Sequence, residues 1–424
     1  GADEADEAQV LLFTNTEKVW RKNTRGDYWV LELATKKLRK LGGKAAPSTM
    51  MFAKFSPSGT HVAFVRKNNL YVQSLADLKM VALTKDSSNS IINGTSDWVN
   101  EEELSLRDAF RWSPDGKQIL FWQFDTKGVK RFWLMNQADS KTQAFTTFPY
   151  PTAGEKNSAT RLGIISFGGG ETKWLEIAGD PREHYLPKAE WTTDGKAVLV
   201  HQFNRLQNTL KVLIADPATG KTKLVLTETD KAWVDNDNEI VWIGSDFLWL
   251  SERSGWRHAY RVSLDGEMKP ITKGDVDVID VKKVDTKSRA LYFTASPQHA
   301  TQRYLYRVSL DGGEPARVSP ADQAGTHSYN VSEDAQWAVH TFSTMTTPPV
   351  IQLVSLPDHK TIRVLKTQKA LRDKLAKLKQ PRTEFLRVDV GNGITFDGWM
   401  MSAPHLDAKK KHPLLMYVYG EPAG

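Results

Sequence analysis

The sequence predicts an all-β protein of repeated antiparallel units, and three observations carry that prediction. A turn phrase recurs immediately before apolar strands. A second, longer phrase occurs twice. The chain, at 424 residues, is also too long for one ordinary core. The turn phrase is an aromatic or apolar residue, a Ser/Thr-rich turn and a closing Gly or Asp, then a strand. Phe55-Ser56-Pro57-Ser58-Gly59 precedes His61-Val62-Ala63-Phe64-Val65, and Trp112-Ser113-Pro114-Asp115-Gly116 precedes Gln118-Ile119-Leu120-Phe121-Trp122. Trp191-Thr192-Thr193-Asp194-Gly195 and Val331-Ser332-Glu333-Asp334 introduce two more such strands. Pro early in a turn and Gly at its end suit hairpin connections, and the strands that follow alternate or run apolar as half-buried strands do.

The longer phrase, Trp256-Arg257-His258-Ala259-Tyr260-Arg261-Val262-Ser263-Leu264-Asp265-Gly266, returns as Arg303-Tyr304-Leu305-Tyr306-Arg307-Val308-Ser309-Leu310-Asp311-Gly312. Repeats of roughly 40 to 60 residues, each able to supply about four short strands, predict a β-propeller, because each unit must stack on its neighbours to bury its faces, with an irregular all-β solenoid as the alternative. The spacing of the signals suggests about seven to eight four-stranded blades.

Toward the C-terminus the pattern changes. Leu371, Leu375 and Leu378 recur at helical spacing among Lys and Arg, which predicts an amphipathic surface helix. Pro381 ends it, and residues 385–390, Gly391-Asn392-Gly393 and residues 394–401 read as a long hairpin. The continuous apolar run Pro413-Leu414-Leu415-Met416-Tyr417-Val418-Tyr419 predicts a strand buried on both faces of an α/β sheet. A new domain is therefore expected to open after the helix.

Composition narrows the function classes. The net charge of +7 permits anionic partners, but the basic residues are spread along the chain, and the densest runs, 36–44 and 366–379, read as solvated faces. No nucleic-acid partner is expected. Zero cysteines exclude disulfides and thiol catalysis, and the ten dispersed histidines contain no HExxH, so neither a metal nor another cofactor is expected. No apolar segment is long enough to span a bilayer as a helix.

The sharpest local feature is Ser96-Asp97-Trp98-Val99-Asn100-Glu101-Glu102-Glu103-Leu104, an acidic cluster in a basic chain. One reading is a short helix capped by Ser96, Asp97 or Asn100, with the glutamates in its first turn where the helix dipole favours negative charge. The other is chemical. Adjacent carboxylates facing a cavity repel, and a cation such as a peptide α-ammonium bound between them relieves that repulsion. Such a site selects substrates by their free N-terminus.

Asp97-Trp98-Val99-Asn100-Glu101-Glu102-Glu103 resembles the N-terminus-anchoring motif of the dipeptidyl peptidase IV family of serine exopeptidases. The resemblance extends along the chain to Pro149-Tyr150-Pro151-Thr152-Ala153-Gly154 and Ser251-Glu252-Arg253-Ser254-Gly255-Trp256-Arg257-His258. It implies that Glu102 and Glu103 bind the substrate's amino terminus, with Glu101 a less direct neighbour. Trp20-Arg21, followed by Asp27-Tyr28-Trp29-Val30-Leu31, is similar to the segment whose arginine hydrogen-bonds a substrate carbonyl, a role this assigns to Arg21. Tyr419 resembles the tyrosine whose hydroxyl helps form the oxyanion hole. Gly420-Glu421-Pro422 departs there from the Gly-Gly-Pro or Ala-Gly-Pro of many relatives.

The resemblance further implies residues 1–383 as a propeller and 384–424 as the opening strands of an α/β-hydrolase domain. No G-x-S-x-G nucleophile elbow occurs in the sequence, so the Ser/Asp/His triad is expected beyond residue 424 and the chain alone is expected to be inactive. The expected activity of the whole protein is release of N-terminal Xaa-Pro or Xaa-Ala dipeptides from peptides with a free N-terminus. Relatives often pair as dimers, which extends to a homodimer of the full-length protein, and a periplasmic or secreted location is favoured over a cytoplasmic one. The alternative is a non-catalytic β-propeller that binds peptides or proteins. An acylaminoacyl peptidase or endopeptidase of the same clan would have no need of paired glutamates.

Overall fold

A computed structural model describes residues 8–138, 145–235, 239–407 and 409–418. It is nearly all strand, with two short helices among the described residues, Trp98–Leu104 and Lys369–Leu375. Strand pairing is antiparallel within every sheet for which a register is given, and consecutive strands are mostly sheet neighbours. No helix among these residues is long and apolar enough to cross a membrane.

The chain divides into two compact units, residues 1–253 with 260–269, and residues 254–259 with 270–424. The first unit opens on a long hairpin, Gln9–Lys18 with Asn23–Glu32, which belongs to a seven-stranded sheet running on to Met80–Ala82. Two five-stranded sheets follow, centred on Gln118–Asp125 and on Val198–Asn204. A separate two-stranded hairpin, Arg131–Met135 with Phe145–Pro149, interrupts the first of these between its two longest strands. Strands from Trp242–Ile243 to Met268–Pro270 make a four-stranded sheet where the chain passes from one unit to the other. The second unit holds two four-stranded sheets and a C-terminal hairpin, Arg382–Asp389 with Thr395–Ser402.

Period-two alternation explains how the first unit is filled. Gln118–Asp125 is buried on both faces. Ile119 and Phe121 join Val65, Val72 and Phe110 in one core, whereas Leu120, Trp122 and Phe124 join Leu162, Val198 and Val200 in the next. Val198–Asn204 repeats the arrangement, since Val198 and Val200 face the second core while Leu199 and Phe203 face a third with Phe247 and Trp249. Each core thus lies between two successive sheets, the burial that a stacked repeat requires.

The recurrent turn phrase has one geometry. Gly59, Gly116 and Gly195 donate their N–H to the carbonyls of Ser56, Ser113 and Thr192, all at 2.9 Å, and their φ values are 67°, 69° and 69°. In the fourth copy Ala335 occupies this left-handed position at φ 52° and bonds Ser332. The Ser or Thr hydroxyl of each copy accepts the N–H that opens the next strand, as in Ser113 with Gln118 at 2.9 Å and Ser332 with Trp337 at 3.0 Å. A Cβ on Gly195 would lie 3.3 Å from Cδ of Pro114 in the preceding copy.

Two features of the C-terminal segment follow the sequence reading and one departs from it. The helix Lys369–Leu375 is solvated and the Gly-rich turn closes a hairpin. The apolar run 413–418 forms no strand and lies exposed. A strand of that type gains its hydrogen bonds and its burial from sheet neighbours on either side, and none is provided by the described residues.

Gly195→Ala is expected to lower stability by about 1–2 kcal/mol from its left-handed backbone, with an added cost from Pro114. Gly43→Ala, at φ 57° in open surroundings, should show the backbone cost alone. Urea unfolding of both variants checks the difference.

Candidate functional site

The acidic cluster lies on a loop between Ile91–Asn93 and Phe110–Trp112. Its base is pinned by a bridge between Thr95 and Asp108 and by the Ala109 N–H to Gly94 carbonyl bond. Asp97 caps the helix, with its Oδ1 accepting from the Asn100 backbone N–H at 3.0 Å and from Asn100 Nδ2 at 2.8 Å. Its other oxygen accepts from Ser158 Oγ at 2.5 Å, which ties the helix to the segment leading into Ala159–Ser166. Ser105 closes the helix in the left-handed region at φ 56°.

Helix position changes the electrostatic reading of the cluster. Only Glu101 falls in the first turn; Glu102 and Glu103 lie beyond it, toward the end where the dipole favours cations. The dipole therefore does not account for three consecutive carboxylates, and neutralising partners do. Glu101 is buried and pairs with Arg107 Nε at 3.0 Å. Glu102 takes the Arg21 guanidinium in a two-pronged contact, Nε to Oε2 at 2.8 Å and Nη2 to Oε1 at 2.5 Å. This pairing holds the Arg21 guanidinium above its ordinary pKa. Glu103 is exposed and makes no ion pair or hydrogen bond to another described residue.

Arg21 comes from the tip of the first hairpin, where the Val19 N–H donates to the Lys22 carbonyl at 3.2 Å. That tip lies against the helix, where the Arg21 guanidinium meets Glu102. Trp20, beside it, contacts Phe148 of the two-stranded hairpin.

Glu103 lines a cavity of 650 Å³ together with Phe52, Arg107, Arg111, Lys188 and Glu239. The other charges around it are paired. Arg111 Nε meets Glu190 at 3.0 Å, Lys188 meets Glu239 at 2.7 Å, and Lys54 meets Asp108 at 2.6 Å. Burial pushes the Lys54 ammonium down to about 8, against the opposing pull of Asp108. The site therefore holds one unpaired carboxylate in a wall of compensated charges, which can receive one cation of modest size with hydrogen-bond donors.

Of the four residues singled out from the sequence, the structure brings Arg21 into contact with Glu102 and sets Glu103 next in the chain on the cavity wall. Tyr419 lies outside the described residues. Sequence reasoning missed Arg107, Ser158 and the aromatic contacts of Trp20 and Trp98. Nothing in the phrase Pro149-Tyr150-Pro151 reveals that Tyr150 lies 4.5 Å from Trp98 between ring centroids.

Residues 4–349 match the family model described as the dipeptidyl peptidase IV (DPP IV) N-terminal region. The chain belongs to this family. It is 28% identical over 98% of its length to a protein of Emericella nidulans named "Probable dipeptidyl-aminopeptidase B", and 27% identical over 98% to Dipeptidyl peptidase 4 of Trichophyton rubrum. The crystal structure of Porphyromonas gingivalis dipeptidyl peptidase 4 superposes with a TM-score of 0.88 at 27% identity, covering 96% of this chain and 57% of that one. The chain spans about half the length of the curated relatives, 49% and 55% of these two.

Burial raises the Glu101 carboxyl above its ordinary 4.5 even with Arg107 beside it. A carboxyl that holds its proton more tightly when folded contributes most to stability below its unfolded pKa, and that contribution falls as pH rises through the folded value. Comparing wild type with Glu101→Gln by urea unfolding between about pH 4 and pH 7, the balance is expected to move toward the glutamine variant as pH rises.

Proposed function

We propose that this chain is the substrate-anchoring part of a serine-type dipeptidyl peptidase that releases N-terminal dipeptides, Xaa-Pro or Xaa-Ala, from peptides with a free amino terminus. The observation that carries the proposal is the unequal state of the three glutamates. Glu101 and Glu102 are each held by an arginine, while Glu103 faces the cavity uncompensated. Counting Arg21, Glu102 and Glu103 together, the anchor carries one net negative charge, the complement of one α-ammonium. Each carboxylate oxygen of Glu102 can accept further hydrogen bonds while bound to Arg21, so an ammonium can bridge Glu102 and Glu103. Arg21 is two-thirds exposed, with donors to spare for a substrate carbonyl.

In this reading residues 1–383 form a propeller that restricts access and supplies Arg21, Glu102 and Glu103. Residues 384–424 open an α/β-hydrolase domain that supplies Tyr419 as an oxyanion donor. The exposure of Phe396, Trp399 and Leu415, at 61%, 57% and 94%, supports a partner surface for this segment outside the described residues. Hydrolysis is assigned to a Ser/Asp/His triad outside the chain, consistent with the lack of any G-x-S-x-G in its sequence.

The test is calorimetry with an Xaa-Pro dipeptide and its N-acetylated form, alongside a chromogenic Xaa-Pro substrate. The free amine should bind more tightly, Glu103→Gln should weaken it by about ten- to a hundredfold, and no turnover should occur. Affinity should also fall above about pH 8, as the amine loses its proton. Equal binding of both forms contradicts the anchor, and turnover contradicts the placement of the triad.

A further inference from the structure

One buried ring connects the two halves of the anchor. Phe148, on the two-stranded hairpin Arg131–Met135 with Phe145–Pro149, is only 7% exposed. Its ring lies 5.2 Å from that of Trp20 and 6.1 Å from that of Trp98. Tyr150 reinforces the second contact, its ring tilted 35° against that of Trp98 at 4.5 Å between centroids, and Phe132 closes the cluster against Tyr150 at 5.4 Å. Trp20 is the residue before Arg21. Trp98 is four residues before Glu102, which places both on one face of the helix. The same two elements that meet at the ion pair Arg21–Glu102 therefore meet a second time through Phe148.

The division of labour follows from exposure. Arg21 is two-thirds exposed, and an ion pair so open to water is screened and contributes little. It is too weak to fix a hairpin tip by itself. Aromatic pairs in favourable geometry add stability beyond the area they bury, and Phe148 takes part in several. The rings fix the tip against the helix, and the ion pair then sets the direction of the guanidinium and of Glu102.

We infer that Phe148, backed by Tyr150, is a positioning residue for the amine anchor, holding Arg21 and Glu102 in register through Trp20 and Trp98. The inference rests on the amine-anchor reading of the same site. Through it, the two-stranded hairpin becomes part of substrate selection although none of its residues lines the cavity. A displaced tip leaves Glu102 without its guanidinium. The ammonium then meets a differently shaped carboxylate pair, and the preference for a free amine falls while the fold persists.

The experiment measures the ratio of affinities for a free-amine Xaa-Pro dipeptide and its N-acetylated form in wild type, Phe148→Ala, Phe148→Leu and Glu103→Gln. A global loss of stability lowers both affinities and leaves the ratio unchanged, so the ratio isolates positioning from folding. Phe148→Ala is expected to lower it by roughly five- to tenfold, about 1 kcal/mol or slightly more. Phe148→Leu, which keeps most of the buried volume, should lie between it and wild type and stands in if the alanine variant does not fold. Hydrogen exchange across residues 19–23 should rise in the same order. An unchanged ratio in the folded Phe148 variants, with Glu103→Gln still lowering it, overturns the positioning role and leaves the anchor standing. A wild-type chain with no preference, or one insensitive to Glu103→Gln, overturns the anchor and this inference with it.

Discussion

Three consecutive carboxylates on a seven-residue helix repel one another, and the site depends on how that repulsion is distributed. Arg107 takes Glu101 from within the same loop, and Arg21 takes Glu102 from a hairpin 81 residues earlier in the sequence. The third carboxylate, Glu103, is left to the cavity. Had the helix dipole been the compensating charge, all three would sit in the first turn and none would need a distant arginine. Their position along the helix requires the long-range contact, and that contact leaves a single negative charge for a ligand.

The rest of the first unit serves to hold those pieces still. Sheets buried on both faces, as in Gln118–Asp125, give rigid neighbours on either side. The loop bearing the helix is fastened at its base by the Thr95–Asp108 bridge and at its cap by Ser158. The hairpin tip has no such sheet around it and leans on rings instead. Rigid sheets thus supply one half of the anchor, and an aromatic cluster supplies the other.

Legibility in the sequence followed the range of the interaction. The turn phrases were readable because Ser, Pro, Asp and Gly act within five residues, and each does what its chemistry dictates at Ser56, Ser113, Thr192 and Ser332. The capped helix was readable for the same reason, although the placing of all three glutamates in its first turn was not upheld. The pairing of Arg21 with Glu102 was not derivable from local pattern; family resemblance gave each a role, but not their contact. Trp20, Trp98 and Phe148 each read as an ordinary apolar residue, since ring contacts between distant segments leave no periodic trace. The run 413–418 shows the converse error, a strong local strand signal without the neighbours a strand needs.

Glu103 is the free carboxylate of a site whose other two are held by arginines. A crystal structure of the chain with a free-amine Xaa-Pro dipeptide tests it most directly. The α-ammonium is expected within about 3 Å of a Glu103 oxygen, with the Arg21–Glu102 contact intact and Glu101 still on Arg107. An ammonium bound elsewhere, or one that displaces Arg21 from Glu102 and leaves Glu103 untouched, would contradict it.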